Sequence, residues 1–566
     1  MMWLKRLNSE IASPHAAALL LGGAAFLSKL LGMFRDRLLA GRFGAGDTLD
    51  SYYAAFQIPD ILFTVFLVGA ASAAVLPVFV AYEREGAESS EKFVSNLLTV
   101  FSVFASLAIV AAIIGAPWLV RLVAPGFGAE KLRLAIELTR LLLVNTLFLG
   151  IAGILSSVLQ ARHRFFVFAL PPIVYNLGIV GGILFFVPFF GPIGLAYGVL
   201  AGGVMQILIA VPALVDMRFG IRPRFQLDEP GLRQVTRTAL PRVLAIVMNQ
   251  VVLVVLAAIA SFFAAGSVSV FRLAANLLYV PVGLFGVSYA LAIFPKISQA
   301  AVRGEYKRFA HQLQMGVRNI LFWVLPAAVL FVVLRAHIVR VVLGAGAFDW
   351  EDTRLVAAVL AVLALAVVSE SILPLILRAF YALGRTREPL FWDFLGSLTA
   401  VGLSLGFAFL FFWQPPALAM LARILRIGDL ASPDILAVAL GFALGSIANV
   451  FLLSFALRRV LRLTGGARPA IGRVGSMVAA ALIAGVAAYL TLLPFPALVS
   501  TRTFVGIALQ GLTAGAAGLA VYGLILAWQK NPEILAIAES FRQHLVSLGR
   551  TPEVFETEKL DGDSAR

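Results

Sequence analysis

The chain has 566 residues, of which 61% are hydrophobic and 13% charged, and its formal net charge is +15. Soluble globular domains have roughly 45–50% apolar and about 25% charged residues, so this composition excludes an ordinary soluble protein and indicates an outer surface that faces lipid. The lack of cysteine excludes disulfides and thiolate metal sites. The positive charge is typical of the basic cytoplasmic loops of membrane proteins, so we do not expect nucleic acid as a partner.

Apolar blocks of about 20 residues or more follow one another along the chain, as expected for membrane-spanning helices and unlike the alternating pattern of barrel strands. We predict an all-α polytopic membrane protein with about fourteen transmembrane helices. The predicted helices lie at about 14–40, 52–82, 93–122, 131–160, 166–188, 193–216, 236–262, 267–295, 315–344, 354–382, 389–413, 433–457, 470–492 and 502–528.

Basic residues are concentrated in alternate loops, for example in 218–237 and 458–473, whereas the loops near 189–193 and 263–266 carry no charge. Under the positive-inside rule this distribution places both termini in the cytoplasm. Basic residues such as Arg423, in a predicted outer loop, go against the rule. We see no cleavable signal peptide, because the first apolar helix continues without a small-residue cleavage site.

The two halves of the chain repeat a pattern of helix-bending residues. Pro59, Gly69 and Pro77 in the second helix are echoed by Pro281, Gly286 and Pro295 in the eighth. Parallel repeats of this kind place a binding site at their interface and move against each other during transport.

We therefore predict two six-helix lobes related by pseudo-two-fold symmetry, followed by two extra helices and a tail. The predicted boundaries are 14–218, 232–458, 468–529 and, for a cytoplasmic tail that is amphipathic and then disordered, 530–566.

Charges inside apolar helices are costly and usually face a cavity or a partner. In the first helix Lys29 and Asp36 share one face, and Arg35 lies on a neighbouring stripe. Lys29 is about 22 Å along the helix from Pro14, hence within the membrane. These residues predict a cationic cavity lining suited to a diphosphate, since arginine binds phosphate through a bidentate fork. The alternative is that arginines near the end of this helix extend to the outer interface.

Other charged residues are candidates for the same site. Arg272 and Asn276 share a face of the eighth helix. Asp50 and Asp60 flank the start of the second helix, where they can contact the ligand or pair with cations of the first. Glu370 lies in the middle of the tenth helix, where it can bind Na⁺ or relay a proton, or else form a structural ion pair with Arg378.

Signatures of enzymes are not convincing. Residues 402–406 spell a nucleophile-elbow pattern, but they lie inside an apolar helix and not at a strand-to-helix turn. The sequence has no phosphate-binding loop for ATP and no histidine pair with metal-ligand spacing. We expect no enzyme activity, cofactor or metal site; an energy source, if there is one, is a Na⁺ or H⁺ gradient or the membrane potential.

Several blocks together resemble the MurJ/MviN family of lipid II flippases, within the multidrug/oligosaccharidyl-lipid/polysaccharide exporter superfamily. The blocks are SKLLGMFRD (28–36), FGAGDTLDSYYAAFQIPD (43–60), LPVF (76–79), GSVSVFRLAANLLYVPVGLFGVSYALAIFPKIS (266–298) and RAFYALGRTREP (378–389). The resemblance implies a fourteen-helix fold with two lobes in a V, and a groove for a lipid tail formed by the last two helices. It also implies a bacterial inner-membrane protein that moves an undecaprenyl-diphosphate-linked peptidoglycan precursor from the inner to the outer leaflet, with membrane lipids and cell-wall synthesis proteins as partners.

Carried over by position, Arg35, Asp36 and Asp50 match residues of the family, and Lys29 stands where the family usually has arginine. Charged residues of the family are lost at other positions. The basic and acidic residues of its second helix fall on Phe63, Thr64 and Val68, and the Asp-Arg of its eighth helix falls on Ala275 and Asn276. Arg272, one turn earlier, is a candidate substitute. Fewer fixed cations are expected to hold a diphosphate less strongly.

Three functions therefore remain open at this point. The first is a flippase for lipid II or another polyprenyl-linked glycan. The second is an ion-coupled exporter of small cationic drugs that relies on Glu370 and Asp60. The third is a scaffold that keeps the fold without transporting.

Overall fold

The computed structural model describes residues 14–65, 72–430, 433–462, 471–495, 503–535 and 539. All regular elements in this part of the chain are helical, as predicted. The predicted tail at 530–566 lies mostly outside the described residues. In chain order the α-helices are α1 (Pro14–Phe43), α2 (Asp47–Phe63), α3 (Ser72–Glu85), α4 (Ala87–Val123), α5 (Ala129–Ala161), α6 (Phe165–Ala169), α7 (Pro171–Gly181), α8 (Val187–Phe190), α9 (Gly194–Asp216), α10 (Pro230–Ser261), α11 (Ser267–Pro281), α12 (Ser288–Val302), α13 (Tyr306–Val333), α14 (Arg335–Val342), α15 (Trp350–Ala382), α16 (Arg387–Trp413), α17 (Pro415–Ile424), α18 (Leu436–Arg462), α19 (Ile471–Leu492) and α20 (Phe504–Trp528).

Each predicted apolar block coincides with one or more of these helices. The number of helical stretches that could cross a membrane, however, differs from the predicted fourteen. Ten helical stretches among the described residues are long and apolar enough to cross a membrane, by length and composition. One of them, Pro171–Asp216, has 46 residues and covers most of the predicted block 166–188 and all of 193–216. The predicted blocks at 14–40, 52–82 and 236–262 are not among the ten. The multi-span helical fold is confirmed, whereas fourteen crossings stay a prediction.

The sequence analysis missed helix α17, which lies in the predicted outer loop near 414–432. Pro415 and Pro416 begin this helix, at positions where the missing N–H of proline costs nothing. Leu418 and Ala422, one turn apart, are its buried residues. The pattern is too short to stand out from its apolar surroundings.

Glycines allow two helices of the N-terminal half to meet backbone to backbone. A Cβ atom added to Gly178 of α7 would lie 2.3 Å from Cα of Gly202 in α9, and one added to Gly182 would lie 2.5 Å from Cα of Gly198. Small residues at such contacts are typical of helix packing in membranes, where van der Waals contact provides most of the attraction.

The C-terminal half contains a contact of the same kind between α16 and α18. A Cβ atom on Gly441 would lie 2.4 Å from Cα of Ser404, and one on Gly445 would lie 2.3 Å from Cα of Ala400. The fifth and sixth predicted spans and the eleventh and twelfth thus use the same packing. This is the relationship expected of a repeat.

Two helices change their winding within predicted membrane spans. A π-helical turn, Gly182–Phe186, follows α7, and another, Val282–Val287, follows α11 directly after Pro281. Proline removes one helical hydrogen bond, and π-helical turns are frequent at functional sites. Both α7 and α11 contribute side chains to the cavity described below.

An extended segment, residues 219–229, connects the two halves and lies along α4. The backbone N–H groups of Arg222 and Arg224 donate to Ser95 Oγ and Thr99 Oγ1, each at 3.0 Å. Asn96 binds Gln226 twice, accepting from its N–H at 2.7 Å and donating to its carbonyl at 2.8 Å. The connection is therefore fixed to the N-terminal half along most of its length.

Candidate functional site

A polar cavity of about 260 Å³ lies where helices of the two halves meet. The N-terminal half contributes residues of α1 and α7, and the C-terminal half contributes residues of α11 and the segment around α14. Its lining residues are Ala25, Ser28, Lys29, Gly32, Met33, Arg35, Asp36, Asn176, Leu273, Asn276, Leu277, Tyr279, Val342 and Leu343. We call this space the headgroup cavity.

Arg35 is held in the wall of the headgroup cavity by hydrogen bonds to two side chains. Its Nε and NH2 atoms donate to Asp36 Oδ1 at 3.0 and 2.7 Å, and its NH1 atom donates to Asn176 Oδ1 at 3.1 Å. Asn176 is anchored in turn, because its Nδ2 atom donates to the carbonyl of Pro172 at 2.9 Å and to Ser28 Oγ at 3.3 Å. The guanidinium group is therefore oriented before any ligand arrives.

Asp36 is also bound from the C-terminal half. Asn276 Nδ2 donates to Asp36 Oδ2 at 3.0 Å, so the two carboxylate oxygens have separate partners on separate helices. The side chain of Asp36 is only 8% exposed, and a buried carboxylate requires such partners to remain charged. Arg35, Asp36 and Asn276, chosen from the sequence, thus form one network.

Lys29 lies one to two turns before this network on α1 and lines the same cavity. It is exposed, and within the described part of the chain no carboxylate lies within 4.0 Å of its ammonium group. Because Arg35 is already paired with Asp36, Lys29 provides the uncompensated positive charge of the lining.

Asp60 and Arg272 lie outside the headgroup cavity lining and interact electrostatically with each other. Asp60 belongs to α2 and Arg272 to α11, so this interaction also connects the two halves. Arg272 further interacts with Tyr53 and Tyr279. The family's basic residues in the second helix fall on Phe63 and Thr64 here, and neither of these lines the cavity.

Asp50 lies at a contact between the halves and not at the headgroup cavity. Its side chain is 1% exposed and accepts hydrogen bonds from Lys131 Nζ at 2.6 Å, from the N–H of Gly266 at 2.8 Å and from the N–H of Ser269 at 2.7 Å. Gly266 is the N-cap residue of α11 and Ser269 lies in its first turn, where N–H groups have no partners within their own helix. Asp50 therefore caps a helix of the opposite half.

A second carboxylate makes the reciprocal contact. Asp352, in the first turn of α15, accepts a hydrogen bond from the N–H of Ala45 at 3.0 Å. Close by, the N–H of Ala347 donates to the carbonyl of Gly41 at 2.8 Å. Each half thus offers a carboxylate to the backbone of the other, and these contacts close the end of the interface near residues 41–50.

Glu370 borders a second, smaller cavity of about 40 Å³ between α10, α11, α15, α16 and α18. Ser446 Oγ donates to Glu370 Oε1 at 2.6 Å, and Asn449 Nδ2 donates to Asp393 Oδ1 at 2.8 Å. Arg378 donates to the carbonyl of Pro374 in its own helix at 3.2 Å. The alternative of a Glu370–Arg378 ion pair is therefore not what the structure contains.

Sequence reasoning missed three polar residues of the headgroup cavity, Ser28, Asn176 and Tyr279. Single serine, asparagine and tyrosine side chains in apolar helices give no signal of their own in one sequence. Asn176 follows Pro171 and Pro172 by about one turn, and Tyr279 precedes Pro281, so proximity to helix-bending prolines was the available indication.

Comparison with known proteins identifies the family. The family model described as "Lipid II flippase MurJ" matches residues 39–509. The "Probable lipid II flippase MurJ" of Rhizobium tropici is 30% identical over 380 residues, which cover 65% of this chain and 71% of that protein. The "Lipid II flippase MurJ" of Burkholderia cenocepacia is 28% identical over 382 residues, covering 66% and 74%.

Solved structures show the same fold. A structure of lipid II flippase MurJ in an inward closed conformation superposes with a TM-score of 0.70 at 24% identity, covering 90% of this chain and 100% of the other. An inward-facing multidrug resistance MATE transporter of the MOP superfamily gives a TM-score of 0.61 at 15% identity, covering 77% and 95%. At these identities the structures establish only the fold. Because the family model covers most of the sequence, this multi-pass membrane protein belongs to the lipid II flippase MurJ family, whose members are transporters and not enzymes.

Proposed function

We propose that the protein flips a lipid-linked peptidoglycan precursor, undecaprenyl-diphosphate-linked disaccharide peptide, from the inner to the outer leaflet of the bacterial cytoplasmic membrane. The observation that carries this proposal is the headgroup cavity, in which Lys29 and Arg35 of one half face Asn276 of the other. A cavity between two halves of a transporter can open to either side by a rocking motion.

The chemistry of the lining suits an anionic headgroup. Lys29 offers a free ammonium group as a point charge, and Arg35 offers a guanidinium fork that Asp36 and Asn176 hold in place. Such charge-assisted hydrogen bonds are stronger than neutral ones. The amides of Asn176 and Asn276 are suited to bind sugar hydroxyl or peptide groups.

Alternating access further requires two lobes that move relative to each other, and contacts between them that can break to open one side. We infer that residues 14–218 and 232–458 are two six-helix lobes, and that both termini lie in the cytoplasm. The contacts of Asp50 and Asp352 then lie on the outer side and close it, and the headgroup is loaded from the inner leaflet. Opening these contacts releases the precursor outward.

The last two helices, within 468–529, are the proposed binding groove for the lipid tail. Helices α19 and α20 pack against each other, and α19 packs against α13. Leu482 and Val486 of α19 remain exposed. An exposed apolar surface of this kind is compatible with a polyprenyl chain that stays in the hydrocarbon region while its headgroup crosses.

No cofactor is needed for this process, and Na⁺ or H⁺ coupling or the membrane potential can supply the energy. Glu370 and Asp60 are the carboxylates that we assign to ion coupling.

Cell-wall synthesis proteins are the proposed partners, which would bind the tail or the loops. The alternative cargo of small cationic drugs is disfavoured by the positive charge of Lys29 and Arg35.

Complementation of a bacterium depleted of its own lipid II flippase tests the proposal. The wild-type chain should restore growth, and Arg35→Ala should abolish it while the protein remains in the membrane. Arg459→Gln, which removes an exposed arginine outside the cavity, is the matched control and should complement fully. A well-expressed wild-type chain that fails to complement would instead favour another polyprenyl-linked glycan as cargo or a scaffold without transport.

A further inference from the structure

Tyr279 belongs to the walls of two cavities at once. It lines the headgroup cavity together with Asn276, and it lines the smaller cavity together with Glu370. Its hydroxyl group lies within hydrogen-bonding reach of the Glu370 carboxylate. A single side chain of α11 therefore stands between the proposed substrate site and the buried carboxylate of α15.

The surroundings of Glu370 supply hydrogen bonds but no positive charge. Ser446 donates to it at 2.6 Å, and the charged group that interacts with it electrostatically is the carboxylate of Asp393. Among the described residues, no lysine or arginine nitrogen lies within 4.0 Å of Glu370. A buried carboxylate without a cation is stabilised when it takes up a proton, so proton uptake here has a structural reason.

The backbone of the same region is tightly packed against the helix of Glu370. A Cβ atom on Gly286, in the π-helical turn after α11, would lie 2.6 Å from the carbonyl oxygen of Ser371. Close-packed elements transmit displacement instead of absorbing it. The turn that follows Tyr279 is therefore in direct contact with Ser371, the residue after Glu370.

We propose that Tyr279 couples binding of the anionic headgroup to protonation of Glu370, an inference that rests on the proposed function. A phenol has one O–H group and donates it to one acceptor at a time. When Glu370 is charged, its carboxylate holds this hydrogen. When Glu370 takes up a proton, the hydroxyl of Tyr279 is released and donates to a phosphate oxygen in the headgroup cavity. Proton binding and headgroup binding then favour each other, reciprocally.

Other charged groups lie near Tyr279 and Glu370, and their contribution to any pH dependence must be distinguished from that of Glu370. Asp393 interacts with Glu370 from α16, and Arg272 interacts with Tyr279 from two turns earlier in α11. Lys29, Arg35 and Asp36 lie across the headgroup cavity. Arginine keeps its proton at all relevant pH values, so Asp393 is the competing proton acceptor near Glu370.

Binding of lipid II to the purified full-length protein in nanodiscs, measured between about pH 5 and about pH 8, tests the coupling. Lipid II is a suitable probe because its diphosphate is a diester and keeps the same charge over this range. The wild-type protein should bind it roughly fivefold or more tightly at the acidic end. Tyr279→Phe should bind lipid II at every pH with the lower affinity that the wild-type protein shows at the alkaline end. Glu370→Gln should bind with the higher affinity at every pH.

Two further variants serve as controls. Tyr289→Phe removes a hydroxyl that accepts a hydrogen bond from Trp323 at 3.0 Å outside both cavities, and it should keep the wild-type pH dependence. Asp393→Asn should also keep it, because Asp393 has its own partner in Asn449. If Tyr279→Phe kept the wild-type pH dependence of binding, the proposed coupling would be wrong while the proposed function would stand. The same conclusion would follow if Asp393→Asn lost the pH dependence. Absence of lipid II binding by the wild-type protein at every pH would overturn the proposed function as well.

Discussion

Asn276 donates a hydrogen bond to Asp36 over 3.0 Å, although the two residues are 240 positions apart in the chain. The contact joins α11 to α1 across the headgroup cavity. The family resemblance predicts an arginine at position 276, so this chain keeps a donor to Asp36 but not the positive charge. The charge of the cavity therefore depends on Lys29 and Arg35.

Replacing Asn276 by arginine should strengthen binding of a diphosphate headgroup. The added guanidinium group is expected beside Asp36, where it adds to Lys29 and Arg35 a third cation, contributed by the C-terminal half. A hydrogen bond to a charged group contributes about 1.5–3 kcal/mol, which corresponds to roughly tenfold to hundredfold in affinity. The measurement is lipid II binding in nanodiscs. Asn276→Gln, which adds length without charge, should show no such gain, and an equal gain in both variants would contradict the electrostatic explanation.

The chemistry of this site could be predicted in part from the sequence, and the limits are physical. Lys29, Arg35 and Asp36 stand out because charges are rare inside apolar helices. Asn276 was identified by its spacing from Arg272 and by its position in the family pattern. The distances between helices could not be predicted, because one sequence does not specify which faces meet. For this reason Asp50 was expected near the ligand, although it caps α11.

Replacing Asp50 by asparagine should weaken closure on the proposed outer side. The carboxylate neutralises Lys131 and accepts two backbone N–H groups at the start of α11, and an amide can do neither equally well. The chain has no native cysteine, so spin labels can be placed at Arg42→Cys and Glu351→Cys, two exposed positions on opposite sides of the contact. The distance distribution should shift towards longer values in Asp50→Asn. Asp47→Asn removes an exposed partner of Lys131 and should leave the distribution nearly unchanged.

The segment that connects the two halves provides a prediction about pH. Burial raises the pKa of Glu229 above its usual value of 4.5, against the opposing effect of a hydrogen bond from Asn96. Because the pKa is higher in the folded state, the folded protein binds more protons than the unfolded chain, and this residue's contribution to stability rises as the pH falls from neutral towards 4.5. Glu229→Gln keeps an oxygen that accepts from Asn96 but carries no charge.

The melting temperature of Glu229→Gln should therefore equal or exceed that of the wild-type protein at neutral pH. The difference should shrink as the pH falls, because the wild-type carboxylate is then protonated. Thermal unfolding of the detergent-solubilised protein across this range provides the measurement. Glu88→Gln, at a fully exposed residue paired with Lys92, is the control and should show no gain at neutral pH. A lower melting temperature of Glu229→Gln at every pH would contradict this, because it would mean that the negative charge of Glu229 stabilises the connecting segment.

The end of the described chain is joined to the C-terminal half by a buried ion pair. Arg318 of α13 donates to Glu533 through both Nε and NH2, and the Glu533 side chain is 5% exposed. The N–H of Glu533 also donates to Asn531 Oδ1 at 3.0 Å. This arrangement was not visible in the sequence, because Arg318 and Glu533 are separated by 215 positions.

Removing Glu533 should be costly, because an unpaired Arg318 would remain partly buried. Loss of one partner of a buried ion pair typically costs about 3–5 kcal/mol, so Glu533→Ala should lower the melting temperature clearly. The double variant Arg318→Met/Glu533→Leu should recover most of this loss, since it removes both charges and fills the space with apolar atoms. Glu539→Ala, at an exposed glutamate, should melt like the wild-type protein. If the double variant were no more stable than Glu533→Ala, the unpaired charge of Arg318 would not explain the lower melting temperature. The contact would then stabilise the protein through its packing.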